Sequence, residues 1–447
     1  MVKKLNFHEL NLAQQADLDH KIAVANRVIA DALAISTRPA LAFSGGKDST
    51  VLWHLIRSHP WPSQPPTSYE AQKLLVIFGN TLNEFQESRS FVRRMAREWN
   101  TDIVEARPGK TTRPGLKYAA QRRVWQYLID TGRIAEVLKP DGKLKSTISL
   151  ERACPPDLYA EFEASNLIWL AGTTMTYRWC TDQYGFPLLG KSYSKLAARR
   201  INIDTFLRFS QSTSNDPALL AYYNILRQVK ISQNCCKILK KDPARRVQRA
   251  LGVDLIFKGL MASESRSRAM NFVSRGWLFE GAKQSYLDGR PFWHCQPMAT
   301  WTDEDVWAYI HRYGLPYAPL YDMTYTALDG STQKIRRNGC IGCATDFGYR
   351  NNHLYILRQT HPKQWRAVMQ AGMAQQIRNL QQQWRAVMQA GMAQQIRNLQ
   401  RALRVQDTLF DLFSTKELLD AQPCVFDDLG GLGGRPEPTG LEYDPEV

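Results

Sequence analysis

Residues 39–50 read Pro39-Ala40-Leu41-Ala42-Phe43-Ser44-Gly45-Gly46-Lys47-Asp48-Ser49-Thr50. An apolar run stops at Ser44, and a second one resumes over 51–56. The first run has the length of a buried strand, and the second reads as a helix. Between them, Gly45 and Gly46 let the backbone bend tightly and turn its N–H groups towards one anion. The start of a helix adds a partial positive charge there. Lys47 brings a full positive charge, and Ser44 and Ser49 bring hydroxyls. The segment does not fit G-x-x-x-x-G-K-[ST]. It reads as a phosphate-holding strand–loop–helix of another kind.

Further strands are expected at 73–78, 102–106 and 255–260, with helices over 9–35, 85–99, 118–138 and 195–229. A short apolar run occupies 167–171. Strands alternating with helices imply an α/β fold, a parallel twisted sheet flanked by helices. Residues 301–310 read as a helix capped by Thr302, with Asp305 at the capping-box position. Four regions follow: a helical segment 1–37, an α/β domain 38–350, a helical C-terminal extension 351–422 and a tail 423–447.

The 447 residues carry 58 Lys and Arg against 42 Asp and Glu, a net charge of +16. This excess suggests an acidic partner such as nucleotide, nucleic acid or an acidic protein. At 44% hydrophobic the chain can build a large core. Mean hydropathy is −0.40, and no apolar run reaches the ~18 residues a membrane span needs. The N-terminus turns polar at once, unlike a signal peptide. A cytoplasmic protein with no membrane partner is expected. The basic residues gather at Arg93, Arg94 and Arg97, at Arg122 and Arg123, along 237–249, and at Arg336 and Arg337. A solvated face and a phosphate-backbone surface both explain such runs.

Residues 364–381 recur unchanged as 383–400, a period of 19 residues. Two identical copies indicate a recent tandem duplication rather than a solenoid. At ~100° per residue the shift turns the copied face by ~100°. The copies therefore cannot face the same way on one straight helix. The tail from Pro423 carries six acidic residues against Arg435 and is expected to be disordered.

Disulfides are rare in the cytoplasm, so clustered cysteines there suit metal or sulfur chemistry. Two clusters occur, Cys235-Cys236 and Cys340-Ile341-Gly342-Cys343. Four thiolates suit zinc or a [4Fe–4S] cluster, while a redox dithiol needs no metal. Two adjacent cysteines reach a single tetrahedral zinc awkwardly, whereas a cubane offers separate irons. Cys180 is a rival fourth ligand. Cys154, Cys295 and Cys424 stand alone.

Ser44-Gly45-Gly46-Lys47-Asp48-Ser49 resembles the PP-loop of the adenine nucleotide α-hydrolase-like superfamily, which is Rossmann-like in fold. Four further stretches resemble its PAPS-reductase-like branch. Residues 79–88 (GNTLNEFQES) are similar to D-T-G-x-x-F-P-E-T, with Asn80 for Asp, Leu82 for Gly and Gln86 for Pro. Residues 235–243 are similar to C-C-x-x-x-K-x-x-P. Residues 259–268 are similar to G-x-R-x-x-E-S-x-x-R, with Met261 for the first Arg. Residues 296–307 are similar to P-[IL]-x-x-W-x-x-x-D-V-W. Together they span roughly 38–350. The resemblance implies that Ser44, Gly45, Gly46, Lys47, Asp48, Ser49, Asn80, Thr81, Glu87 and Arg266 hold nucleotide. It implies catalytic roles for Lys47, Asp48, Lys240 and Arg268. It also implies a [4Fe–4S] cluster on Cys235, Cys236, Cys340 and Cys343.

Sulfonucleotide reductases normally carry a Glu-Cys-Gly-Leu-His tail, and Gln422-Pro423-Cys424-Val425 does not match it. The expectation is therefore an ATP pyrophosphatase like the Dnd/Ssp-type subunit of DNA phosphorothioation. Such an enzyme uses ATP and Mg²⁺ to adenylylate the DNA backbone for sulfur incorporation. Its partners would be a cysteine desulfurase, other DNA-modification subunits and DNA. The alternatives are a PAPS or APS reductase of sulfate assimilation and a tRNA or small-molecule thiolation enzyme.

Overall fold

The computed structural model describes residues 4–59, 74–133, 150–184, 234–327, 329–341, 343 and 353–370. The helix expected at 195–229, the second copy of the repeat and the 423–447 tail lie outside them.

A six-stranded sheet organises the chain, in the order β3-β2-β1-β6-β8-β7. Its strands are β1 (Pro39–Phe43), β2 (Leu75–Phe78), β3 (Ile103–Glu105), β6 (Leu255–Phe257), β7 (Leu278–Lys283) and β8 (Pro291–Cys295). The neighbours from β3 to β8 pair in parallel. β7 pairs antiparallel with β8 and closes one edge. That edge strand was not expected from sequence. Its residues, LFEGAK, carry too little apolar character to stand out. Two small ribbons sit outside this sheet: β4 (Gly115–Leu116) with β5 (Ile168–Trp169), and β9 (Thr324–Thr326) with β10 (Thr332–Lys334).

Side chains of the central strands alternate between two cores, as the pleat requires. Leu41, Phe43, Val76, Phe78, Leu255 and Phe257 enter the larger one. Ala40, Ile77 and Ile256 enter the second, beneath α9 (Asp242–Ala250) with Val253, Leu287 and Phe292. Burial on both faces explains why these strands read as continuous apolar runs. Each fully buried Leu or Phe contributes about 1.5–3 kcal/mol before entropy is counted.

The helices that cover the larger core include α2 (Leu18–Leu33), α3 (Lys47–Ser58), α4 (Gln86–Glu98), α10 (Arg266–Arg275) and α11 (Asp303–Tyr313). The helix expected over 9–35 is two helices. α1 (Phe7–Gln15) ends at Ala16, and Asp17 caps α2 by accepting from His20 N–H at 2.8 Å. α11 starts with the expected capping box, Thr302 accepting from Asp305 N–H and Asp305 from Thr302 N–H.

α5 (Tyr118–Asp130), α6 (Leu150–Ala153) and α7 (Pro156–Ala164) make a separate apolar cluster around Val124, Leu128 and Phe162. α8 (Tyr177–Tyr184) lies beside the turn Asn234–Cys236. α12 (His353–Thr360) and α13 (Pro362–Val368) pack on each other. Among the described residues, no helix is long and apolar enough to cross a membrane.

Candidate active site

Strand order reverses between β1 and β6. In an open parallel sheet, the crevice beyond the carboxyl ends at such a point receives the ligand. Residues 44–46 leave β1 there, residues 79–84 leave β2, and Gly259 follows β6. Gly45 has φ +70°, and a Cβ on it would meet Val92 Cγ2 at 2.8 Å. A Cβ on Gly259 would stand 3.1 Å from the Asp48 carbonyl carbon and oxygen. Glycine at these two positions lets α4 and the end of β6 close on the loop.

The loop is tied internally. Ser44 Oγ and Ser49 Oγ lie 3.1 Å apart, and Ser49 Oγ donates to the Gly46 carbonyl at 2.9 Å. Gly46 N–H donates to Ser44 Oγ, and Lys47 N–H donates to the Tyr321 hydroxyl, both at 3.2 Å. Lys47 is only 3% exposed. Its ammonium touches Asp48 Oδ1 at 2.7 Å and Asp303 Oδ1 at 2.5 Å. Buried Tyr321 is pushed above the ordinary tyrosine range by burial, with Asp48 and Asp303 adding to it. It is therefore a neutral hydroxyl at neutral pH.

Arg268 extends from α10 to pair with Glu264, which also faces Arg337. Burial and the Arg337 charge lower its pKa, and Asp48 opposes them. Lys47, Arg268 and Arg337 thus place three cations around the Asp48 side of the loop. Arg266 opens α10 and is exposed.

The other expected nucleotide residues are spent differently. Asn80 Nδ2 donates to Glu105 Oε2 at 2.8 Å, and Asn80 Oδ1 accepts from Leu82 N–H at 3.0 Å. Thr81 Oγ1 donates to Glu84 Oε1 at 2.6 Å and lies 3.6 Å from Cys340 Sγ. Glu87 faces His361 Nε2 at 3.4 Å, and this contact holds its carboxyl below the usual range. Glu87 therefore points to the C-terminal helices.

The thiols gather on the opposite side of the 79–84 turn. Cys180 and Cys235 are buried beside Tyr177, Trp179 and Leu239, with Cys236 against them. Burial pushes Cys180 up to about 12. Cys235 donates to Cys236, which lowers the Cys236 pKa; Lys240 and Lys241 lower it further. Burial, then Glu84 and Cys343, push Cys340 up to about 12, against the pull of Lys240. Tyr177, whose pKa burial raises well above the ordinary range, feels Cys235, Cys343, Cys340 and Cys180 together. The four expected ligands and Cys180 thus share one neighbourhood, and thiols are the right donors for a cluster. Among the described residues, no group of three or more His, Cys, Asp or Glu is arranged to hold a metal ion. Cys235-Cys236 sits where a short helix runs into the π-helical turn Lys237–Lys241, a distortion common at functional sites.

Sequence reasoning missed Asp303, Tyr321 and Asn338. Asp303 lies within the 296–307 block but reads as an ordinary first-turn acid. Tyr321 and Asn338 carry no local pattern. Cys154 and Cys295, set aside as isolated, are half-buried and buried, away from the thiol group.

The phosphoadenosine phosphosulfate reductase domain family matches residues 38–147 and 171–344, over half of the chain. The chain belongs to this family. A phosphoadenosine 5'-phosphosulfate reductase of Xanthomonas axonopodis pv. citri is 33% identical over 100 residues, 20% of this chain and 41% of that protein. An adenosine 5'-phosphosulfate reductase of Staphylococcus epidermidis is 30% identical over 112 residues, 25% of this chain and 37% of that protein. These matches therefore span well under half of either relative. A solved phosphoadenylyl-sulfate reductase from Candida auris, in complex with phosphate, superposes with a TM-score of 0.30 at 11% identity. It covers 76% of this chain and 100% of its own.

Proposed function

We propose that the chain binds an adenine sulfonucleotide, PAPS or APS, at residues 44–49 and reduces it, as its relatives are named for doing. Lys240 carries this reading. Its stem lies 3.9 Å from the position a Cβ on Gly79 would take, at the mouth of the sheet. Its charge favours the thiolate form of Cys236 and opposes the upward shift that burial gives Cys340. One cation thus serves the sheet mouth and the thiols together. In the reaction one thiolate of the supplied dithiol attacks sulfur and the nucleotide phosphate leaves; the second thiol then displaces sulfite from the S-sulfonated first, closing a disulfide. Lys47 and Arg268 neutralise the charge that develops on that phosphate. Cys235, Cys236, Cys340 and Cys343 would hold a [4Fe–4S] cluster, which would supply redox capacity.

A second reading is ATP pyrophosphatase activity, adenylylating a DNA backbone for phosphorothioation beside a cysteine desulfurase and other modification subunits. The Lys47–Asp48–Asp303 contact favours it, because two carboxylates beside the loop suit the Mg²⁺ that accompanies ATP.

One experiment separates the two. Full-length protein purified without oxygen is given PAPS or APS with a dithiol reductant, or ATP with Mg²⁺. Sulfite release, abolished by Lys47→Ala, supports reduction. Pyrophosphate release, abolished by the same change, supports the second reading. With neither product, both readings fail.

A further inference from the structure

The carboxyl ends of β6 and β8 hold a group of cations that the 44–49 loop does not use. Lys258 directly follows β6, and its N–H donates to the carbonyl of Cys295, the last residue of β8, at 2.9 Å. The next residue is Gly259, which stands against the Asp48 carbonyl. The Lys258 ammonium lies 3.1 Å from His294 Nδ1, which takes one of its three hydrogens. The other edge of the ring is closed by β7, where a Cβ on Gly281 would come within 2.8 Å of Nε2. Arg275, the last residue of α10, holds its guanidinium 5.2 Å from the Phe279 ring, which lies 5.1 Å from the His294 ring. Arg245, near the start of α9, has a side chain 70% exposed, with Asp242 3.8 Å away. Burial, then the charges of Arg245 and Arg275, push Lys258 down to about 8. Among the described residues, no carboxylate pairs with Lys258 or Arg275.

We propose that Lys258, Arg275 and Arg245 form a site for a phosphate or sulfate group at the carboxyl ends of β6 and β8, separate from the 44–49 loop. Cations gathered without a counter-charge repel one another, and a half-buried ammonium has also lost water. An anion seated among them removes the repulsion and replaces the lost water with charge-assisted hydrogen bonds. Lys258 has two hydrogens left to donate, and Arg275 brings a planar fork of donors. Lys258 is half-buried and both arginines are exposed, so the site opens to solvent. It does not depend on what the 44–49 loop binds. Its anion is either free in solution or a second phosphate on a nucleotide held by the loop, which Gly259 brings one residue away.

The test acetylates the full-length protein with acetic anhydride near pH 8 and reads Lys258 by peptide mass spectrometry, with exposed Lys283 as internal reference. Samples hold chloride, inorganic phosphate, AMP or adenosine 3′,5′-bisphosphate at one ionic strength. Inorganic phosphate should slow Lys258 by about tenfold relative to Lys283, because a bound anion stabilises the unreactive ammonium. The protection should persist in Lys47→Ala, and Arg275→Gln should lose most of it. Bisphosphate that protects at far lower concentration than AMP or inorganic phosphate makes the nucleotide's second phosphate the occupant. Equal concentrations make the occupant a free anion. Thermal unfolding gives a second reading, since phosphate should raise the wild-type midpoint over its chloride value by more than it raises that of Lys258→Met. Where Lys258 resists acetylation in chloride too, this comparison alone decides. Equal acetylation in phosphate and chloride, protection lost in Lys47→Ala, protection undiminished in Arg275→Gln, or equal midpoint shifts in wild type and Lys258→Met overturns the site.

Discussion

The Lys47 ammonium lies 2.5 Å from Asp303 Oδ1, joining the first turn of α3 to the first turn of α11. The contact leaves a buried cation shared between two carboxylates, Asp48 and Asp303, at the place where phosphate is proposed to sit. An incoming phosphate must therefore compete with Asp303 for Lys47. Asp303→Asn should strengthen binding of APS or pyrophosphate by about three- to tenfold, in line with about 1 kcal/mol for a half-exposed ion pair. Lys47→Ala should weaken it by at least about tenfold and lower stability by about 1–3 kcal/mol, because two acids then face each other. Calorimetric titration and urea unfolding measure both. Weaker binding in Asp303→Asn would show that Asp303 serves the ligand rather than competing with it.

Gly259 has no room for a side chain. A Cβ there would press on the Asp48 carbonyl at 3.1 Å and on Ser49 N at 3.3 Å, which are backbone atoms in the first turn of α3. Gly259→Ala should displace that turn and lower nucleotide affinity about tenfold, while costing only about 1–2 kcal/mol of stability. Equal losses in Gly259→Ala and in a control such as Gly115→Ala, whose Cβ would meet only the Gln183 and Glu151 side-chain oxygens at 3.9 Å, would remove the steric argument.

The sequence carried the parallel sheet because strands buried on both faces are unbroken apolar runs, as in β1 and β6. It carried the loop because Gly45 and Gly46 can be placed by local chemistry alone. Lys21 shows where such reasoning stops. It reads as a polar position on an amphipathic helix, yet it is 2% exposed and donates to Asp305 Oδ2 at 2.6 Å. The partner is 284 residues away, so no periodicity within α2 can reveal it. Asp303, Tyr321 and Asn338 escaped for the same reason, since each acquires its role from a contact with a distant element. Asn80 and Glu87 illustrate the converse. They occupy motif positions, but their partners, Glu105 and His361, decide where they point.

Five thiols gather in the neighbourhood of Tyr177, whereas a cubane needs four. Protein purified without oxygen should contain iron and acid-labile sulfide in a roughly one-to-one ratio. Cys235→Ser and Cys340→Ser should each lose most of both. Cys180→Ser should keep them, because the expected ligand set is complete without it. Iron lost from Cys180→Ser and kept in Cys235→Ser would exchange the two assignments. Zinc in place of iron would end the cluster proposal.

His294 Nδ1 lies 3.1 Å from Lys258 Nζ, and its ring sits between Phe279 and Phe292, each 5.1 Å away. Burial, then the charges of Lys258 and Arg275, lower His294 from 6.5 to about 4. Burial, then Arg245 and Arg275, lower Lys258 from 10.5 to about 8. Near neutral pH the geometry therefore suits a charged Lys258 donating to a neutral imidazole. Between pH 6.5 and about 4, the unfolded chain binds a proton at His294 that the folded chain refuses. Stability contributed by this residue must fall as pH falls through that window. For Lys258 the unfolded chain holds the extra proton between about 8 and 10.5, so its contribution rises with pH there. His294→Gln keeps an acceptor for Lys258 but cannot be protonated. The drop in urea midpoint from pH 7 to pH 5 should be smaller in His294→Gln than in the wild type. At pH 9 to 10 the two proteins should keep parallel slopes, because Lys258 remains in both. An unchanged drop at acid pH would mean that His294 takes up its proton without cost, and that the burial of its ring does not exclude the charge.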